Sequence, residues 1–136
     1  MEPLSGGLPL LDGVRVLIVD DHADARYAMC AMLKLDGATV TAVASAREAF
    51  DTLQHERPDV LVSDLSMPEE DGYWLIANVR ALSASSGGAT PAAAVTGHNT
   101  AEDRARVLRA GFQFHVPKPV DPNQLVGIVA VLALKE

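Results

Sequence analysis

One cysteine, Cys30, stands in the 136 residues, so no disulfide within the chain can brace the fold and stability must come from packing. Aromatic side chains supply only 4% of the sequence, which leaves Val, Leu, Ile and Ala to build the core. The strongly apolar stretches, such as Val14 to Val19 and Leu125 to Leu134, fall far short of the roughly 20 residues that a membrane helix needs. No membrane insertion is expected. Basic residues are scarce as well: 11 Lys and Arg face 18 Asp and Glu, and the net charge of -7 repels phosphate backbones and anionic headgroups. Direct binding to nucleic acid is therefore not expected. The start of the chain has neither the basic opening nor the apolar run of a secretion signal, so a reducing cytoplasm is the expected compartment. After Gly87-Gly88 no Lys-Ser or Lys-Thr follows at the spacing of a nucleotide-binding loop, which removes an ATP site.

What remains is the composition of one globular domain, 49% hydrophobic and 21% charged. Residues 1–12, with Pro3, Gly6, Gly7 and Pro9, show no helical or strand period and read as a linker or disordered leader to a domain over 13–136. Strands are predicted at Val14 to Val19, Thr39 to Val43, Val60 to Ser63, Ala92 to Val95 and Phe114 to Val116. Most are apolar throughout, as parallel strands covered on both faces should be. Between them Ala25, Ala28, Met29, Met32 and Leu33 trace one helical face, Ala46, Ala49, Phe50 and Leu53 another, and Leu75, Ile76, Val79 and Leu82 a third. Ser45 with Glu48, Thr100 with Asp103, and Asp121 before Pro122 mark helix starts, while Gly37 and Gly111 mark stops. Ser83 to Pro91, rich in Ser and Gly, reads as a flexible loop. Alternating strands and helices imply an α/β fold with a doubly wound five-stranded parallel sheet, because right-handed crossovers cover both faces.

Ligands of such sheets sit beyond the carboxyl ends of the strands. Those ends are polar here: Asp20 and Asp21 follow the first strand, Asp64 ends the third, Thr96 ends the fourth and Lys118 follows the fifth. Three carboxylates at one edge repel each other, and Mg²⁺, which prefers oxygen ligands and keeps several waters, would relieve that repulsion. A lysine and a hydroxyl at the same place suit a tetrahedral oxyanion that needs a counter-charge and a donor. A carboxylate set apart from the pair, as Asp64 is, can then act as a phosphoryl-accepting nucleophile.

The fragments Ile18-Val19-Asp20-Asp21, Ser63-Asp64-Leu65-Ser66-Met67-Pro68 with Asp71-Gly72, Val95-Thr96-Gly97 and Lys118-Pro119 occur in that order at strand ends. With them the sequence resembles a response-regulator receiver domain of two-component signalling over about Val14 to Leu134. The resemblance implies a flavodoxin-like (βα)₅ fold with strand order 2-1-3-4-5. It makes Asp64 the acceptor of a phosphoryl group from the phosphohistidine of a histidine kinase or histidine phosphotransfer protein. It places Mg²⁺ on Asp21 directly, on Asp20 through water, on Asp64 and on the backbone carbonyl of Ser66. Lys118 would pair with the phosphoryl oxygens and Thr96 would hydrogen-bond one of them. A cis peptide is implied at Lys118-Pro119. Pro117 to Asp121 and Leu11 to Gly13 look most like receivers of hybrid sensor kinases. The same resemblance leaves open a homodimer through the fourth helix, fifth strand and fifth helix. The chain departs from the pattern at His115, where Tyr or Phe is usual, and at Pro117, which removes a backbone donor that only an edge strand can spare.

On this reading the chain is a signalling switch with phosphorylation and dephosphorylation of itself only, and no enzyme acting on a diffusible substrate. The alternative is a small Mg²⁺-dependent phosphatase with an Asp nucleophile; its second Asp, two residues on, would be the proton donor, and that place holds Ser66. A flavin-binding module would need a phosphate loop after the first strand, where Asp20-Asp21-His22 stands instead. His22, His55, His98 and His115 lack the close spacing of a transition-metal motif, so no zinc site is expected, and His98 and Ser66 are placed at the rim of the pocket.

Overall fold

In the computed structural model residues 10–134 are described. The chain runs β1 (Arg15–Val19), α1 (Ala23–Leu35), β2 (Thr39–Val43), α2 (Ala46–Glu56), β3 (Val60–Asp64) and α3 (Gly72–Arg80). After a 3₁₀ turn at Ala84–Ser86 follow β4 (Ala92–Thr96), α4 (Ala101–Ala110), β5 (Phe114–Pro117) and α5 (Pro122–Leu132). All strand pairs are parallel, and their order is β2-β1-β3-β4-β5, the flavodoxin-like order.

Period-2 alternation along the central strands makes two cores of one sheet. Val16 and Ile18 of β1, with Val60 and Val62 of β3, pack beneath Met29 and Leu33 of α1 and Leu125 and Val129 of α5. Leu17, Val19 and Leu61 point the other way, onto Leu53, Leu75, Ile76 and Val107 of α2, α3 and α4. Both faces are apolar because both are covered, and the polar residues are left to the strand ends. Helix starts follow the local chemistry. Ser45 accepts from Glu48 N–H, Asp71 from Trp74 N–H and Asp121 from Asn123 N–H, while Thr100 and Asp103 form a reciprocal capping box.

Four details differ from the sequence reading. β1 begins at Arg15, and Leu11, counted with the leader over 1–12, is fully buried and donates its N–H to the Asp36 carbonyl at 2.8 Å. Leu11 thus packs with the domain, whereas residues 1–9 lie outside the described residues. Ser83 to Pro91 is tied down: Arg80 Nη1 donates to the Gly88 carbonyl at 2.8 Å and Thr90 Oγ1 to that of Gly87 at 2.8 Å. Ala28, placed on the apolar stripe of α1, is exposed, and Met29 and Leu33 carry the burial. Pro117 does lie on an edge strand; the next residue, Lys118, donates its N–H inward to the Thr96 carbonyl at 3.0 Å.

Candidate functional site

The parallel sheet brings the ends of β1, β3, β4 and β5 to one edge. Asp20 is the first residue beyond β1 and is fully buried. Its Oδ1 accepts the His22 N–H at 2.9 Å, a bond that holds the turn into α1, and the Arg26 guanidinium donates to the Asp20 carbonyl at 2.9 Å. Asp20 Oδ2 is buried with no donor among the described residues. Asp21 beside it is partly exposed. Asp64, the last residue of β3, is 1% exposed; Oδ1 pairs with Lys118 Nζ at 2.9 Å, and Oδ2 is buried with no donor among the described residues. Burial pushes the Asp64 carboxyl above the ordinary carboxylate range. The Lys118 hydrogen bond and charge oppose that rise, and the nearby Asp20 and Asp21 charges reinforce it.

One carboxylate oxygen from each of Asp20, Asp21 and Asp64, and one ring nitrogen of His22, all lie within 4.8 Å of one another. Buried anionic oxygens without donors are costly, and a divalent cation satisfies them. The residues present therefore fit the oxygen-rich site expected for Mg²⁺. Lys118 supplies a positive charge against Asp64, and the Lys118-Pro119 peptide is cis, as the resemblance implied. Gly72 allows the β3–α3 loop to close over this point: a Cβ there would stand 2.6 Å from the Asp64 carbonyl oxygen.

Two of the sequence-predicted site residues stand to the side of the carboxylates. Thr96 is buried at the end of β4, but its hydroxyl accepts the His98 N–H at 3.0 Å. Ser66 is exposed and, with Thr96, His98, Asp103 and Arg106, lines a cavity of about 490 Å³ between the β3–α3 loop and α4. The ring of Tyr73 in the same cavity lies under the Arg106 guanidinium, 4.1 Å from its carbon. His115 reaches this loop too, with Nε2 3.2 Å from the His98 carbonyl. A hydrogen-bonded path thus joins Thr96, His98 and His115. The residue that sequence reasoning missed is His22; adjacency to Asp21 was the available signal, but spacing alone does not reveal where a side chain turns.

A five-stranded doubly wound sheet with an aspartate trio, a lysine and a hydroxyl at its carboxyl edge defines a receiver domain. The family model for the response regulator receiver domain matches residues 16–130, and the chain belongs to that family. Among relatives, it is 45% identical over 114 residues to an uncharacterized 14.6 kDa protein of Leptolyngbya boryana, covering 84% of this chain and 86% of that one. It is 30% identical to hybrid signal transduction histidine kinase D of Dictyostelium discoideum, over 93% of this chain and 8% of the kinase. Identity to response regulator Rre1 of Synechocystis is also 30%, over 93% of this chain and 54% of that protein. The chain thus spans most of the first relative but only a part of the other two.

Among solved structures, the fold is similar to a putative response regulator from Chloroflexus aurantiacus, with a TM-score of 0.83 and 27% identity over 90% of this chain and 98% of that one. It is also similar to the receiver domain of sensor histidine kinase PA1611 from Pseudomonas aeruginosa, with a TM-score of 0.80 and 29% identity over 89% and 98% of the two chains. That structure has a magnesium ion coordinated in its active site cleft. No helix among the described residues is long and apolar enough to cross a membrane.

Proposed function

We propose that this domain accepts a phosphoryl group on Asp64 from the phosphohistidine of a histidine kinase or histidine phosphotransfer protein, and that it acts as a switch. The observation that carries this reading is the asymmetric setting of Asp64: one oxygen held by Lys118, the other buried without a donor beside Asp20 and Asp21. In the transfer a carboxylate oxygen of Asp64 attacks phosphorus, the P–N bond of the donor breaks and a P–O bond forms. The imidazole of the donor leaves with its electron pair and takes up a proton. Mg²⁺ held by Asp20, Asp21, Asp64 and the Ser66 carbonyl would offset the negative charge that builds on the phosphoryl oxygens. Lys118, already paired with Asp64, steadies the same charge. Thr96 donates its hydroxyl to a phosphoryl oxygen after giving up its contact with His98 N–H.

A shallow apolar cleft of about 330 Å³ opens beside Lys118, lined by Ala25, Met29 and Met32 of α1 and by Pro119 and Val120. Through Lys118, the ion-pair partner of Asp64, it adjoins the acceptor, a place that suits a partner carrying the phosphohistidine. The phosphatase reading is weaker, since the place of its carboxylic general acid, two residues after Asp64, holds Ser66. The test is intact-mass spectrometry with acetyl phosphate and Mg²⁺, in which one phosphoryl group is added to the chain. Addition that persists in Asp64→Asn, or that is equally fast in EDTA, would overturn the assignment.

A further inference from the structure

The acid pocket contains a group that oxygen-only cation binding does not need. His22 follows Asp21 directly and occupies the residue before α1 in an extended conformation, with φ -90° and ψ 117°. Its side chain caps no helix amide. Instead Nδ1 lies 3.3 Å from Asp21 Oδ1 and 3.5 Å from Asp20 Oδ1. Two ligand atoms each about 2.1 Å from one ion, at tetrahedral or octahedral angles, stand roughly 3.0–3.4 Å apart. The His22 nitrogen therefore sits at about the edge length of a coordination polyhedron from both carboxylates. Independently, Asp20 Oδ2 and Asp64 Oδ2, in residues that are 0% and 1% exposed, are buried without donors among the described residues.

The other imidazoles whose contacts are defined are occupied elsewhere: His55 Nδ1 meets the Asp51 carbonyl and His115 Nε2 the His98 carbonyl. Carboxylate oxygens alone suit Mg²⁺, whereas an imidazole nitrogen adds affinity for late first-row cations and almost none for magnesium. Resting on the reading of this pocket as a cation site, we propose that His22 Nδ1 is a further ligand that makes the pocket a mixed nitrogen and oxygen site for Ni²⁺ or Zn²⁺ as well as for Mg²⁺. The ring uses its Nε2–H tautomer, which leaves Nδ1 free to ligate and Nε2 in solvent. Such a site lets the identity of the bound metal, and not its presence alone, govern whether the phosphoacceptor is poised.

The experiment is calorimetric titration of the full chain with Ni²⁺ and with Mg²⁺, in the wild type, His22→Ala and His22→Gln, each checked for folding by circular dichroism. A His98→Ala/His115→Ala background removes the other nearby imidazoles. The expected result is a loss of Ni²⁺ affinity of about tenfold or more in both His22 variants, with Mg²⁺ affinity changed less than about twofold. In parallel, imidazole ¹⁵N spectra should move at Nδ1 of His22 with one equivalent of Zn²⁺ and stay fixed with Mg²⁺. An unchanged ratio of Ni²⁺ to Mg²⁺ affinity, or a Zn²⁺ shift confined to other histidines, would overturn the proposal and leave the acid site standing. Absence of Mg²⁺ binding in the wild type, or binding that survives Asp64→Asn together with Asp21→Asn, would overturn the cation site itself and the proposal with it.

Discussion

At the amino-terminal edge of the sheet, the Arg15 guanidinium donates to the carbonyls of Glu56 and Arg57, and its N–H donates to Asp59 at 2.8 Å. Nearby, Arg80 gives two bonds to the Gly111 carbonyl and one to that of Gly88. At the carboxyl-terminal edge, Asp20 and Asp64 keep buried oxygens that no donor among the described residues reaches. Both edges use charged side chains. One edge gives them to carbonyls that would otherwise be orphaned, and the other gathers three carboxylates around the ion pair of Asp64 with Lys118. The difference teaches that charge is used separately along the strand axis: the lower edge locks the connections, and the upper edge gathers carboxylates whose arrangement fits a cation.

The largest expected effect tests the locked edge. Arg80→Ala strips donors from two loop carbonyls and should cost about 3 kcal/mol in urea unfolding, with Mg²⁺ affinity unchanged. A loss of Mg²⁺ affinity of equal weight would break the separation. Next, Asp64→Asn removes a buried negative charge, so in EDTA near neutral pH it should stabilise the fold by on the order of 1 kcal/mol, a gain that vanishes at saturating Mg²⁺.

The sign of the pH dependence follows from the same residue. Because the folded Asp64 carboxyl titrates above its unfolded value, the folded state binds more protons in that window. Stability in EDTA should be fully present below the ordinary carboxylate range and should fall as pH rises through the raised value. Thermal melts of Asp64→Asn against pH should lack that decline.

Thr100→Ala, at the start of α4, should cost about 1 kcal/mol by breaking the capping box. Asp103, held below the usual carboxylate range chiefly by its bonds to Thr100, lends stability above its unfolded value that is lost as pH falls through the lowered one. The variant should therefore be flatter in acid. The smallest effect is expected from His115→Phe, within about 0.5 kcal/mol in stability, with amide shifts concentrated at Gly97 to Asn99 where the His98 carbonyl loses its partner. Shifts spread evenly over the molecule would sever the proposed path from Thr96 to His115.

Elements set by local chemistry were legible from sequence. β2 is β-branched at four of its five residues, and the Thr100–Asp103 spacing and the Asp121-Pro122 pair each mark a helix start within a few residues. The acid trio and Lys118 were legible for a different reason: in a parallel sheet every strand end lies at one edge, so topology converts distant residues into neighbours. Long-range contacts were hidden. Leu11 looked like leader because its amide partner, Asp36, is 25 residues away, and the Ser83 to Pro91 segment looked loose because its anchor is the Arg80 side chain. Nor could α2 be seen to stop at Arg57, which takes the left-handed conformation with φ 49° where glycine would be usual. At the site, the turn of His22 toward the acids depends on the extended backbone before α1, and the Thr96 hydroxyl direction on the loop that follows it.

Pro117 has a consequence for assembly. Successive amides of a strand point to opposite sides, and since Lys118 N–H faces β4, position 117 faces the open edge, where proline has no N–H to give. An incoming strand from another molecule finds a four-residue edge with a donor removed, a poor template for growing a continuous sheet between copies. At high concentration this side of the molecule is therefore guarded against strand-to-strand aggregation, and encounters there fall to side chains and helices.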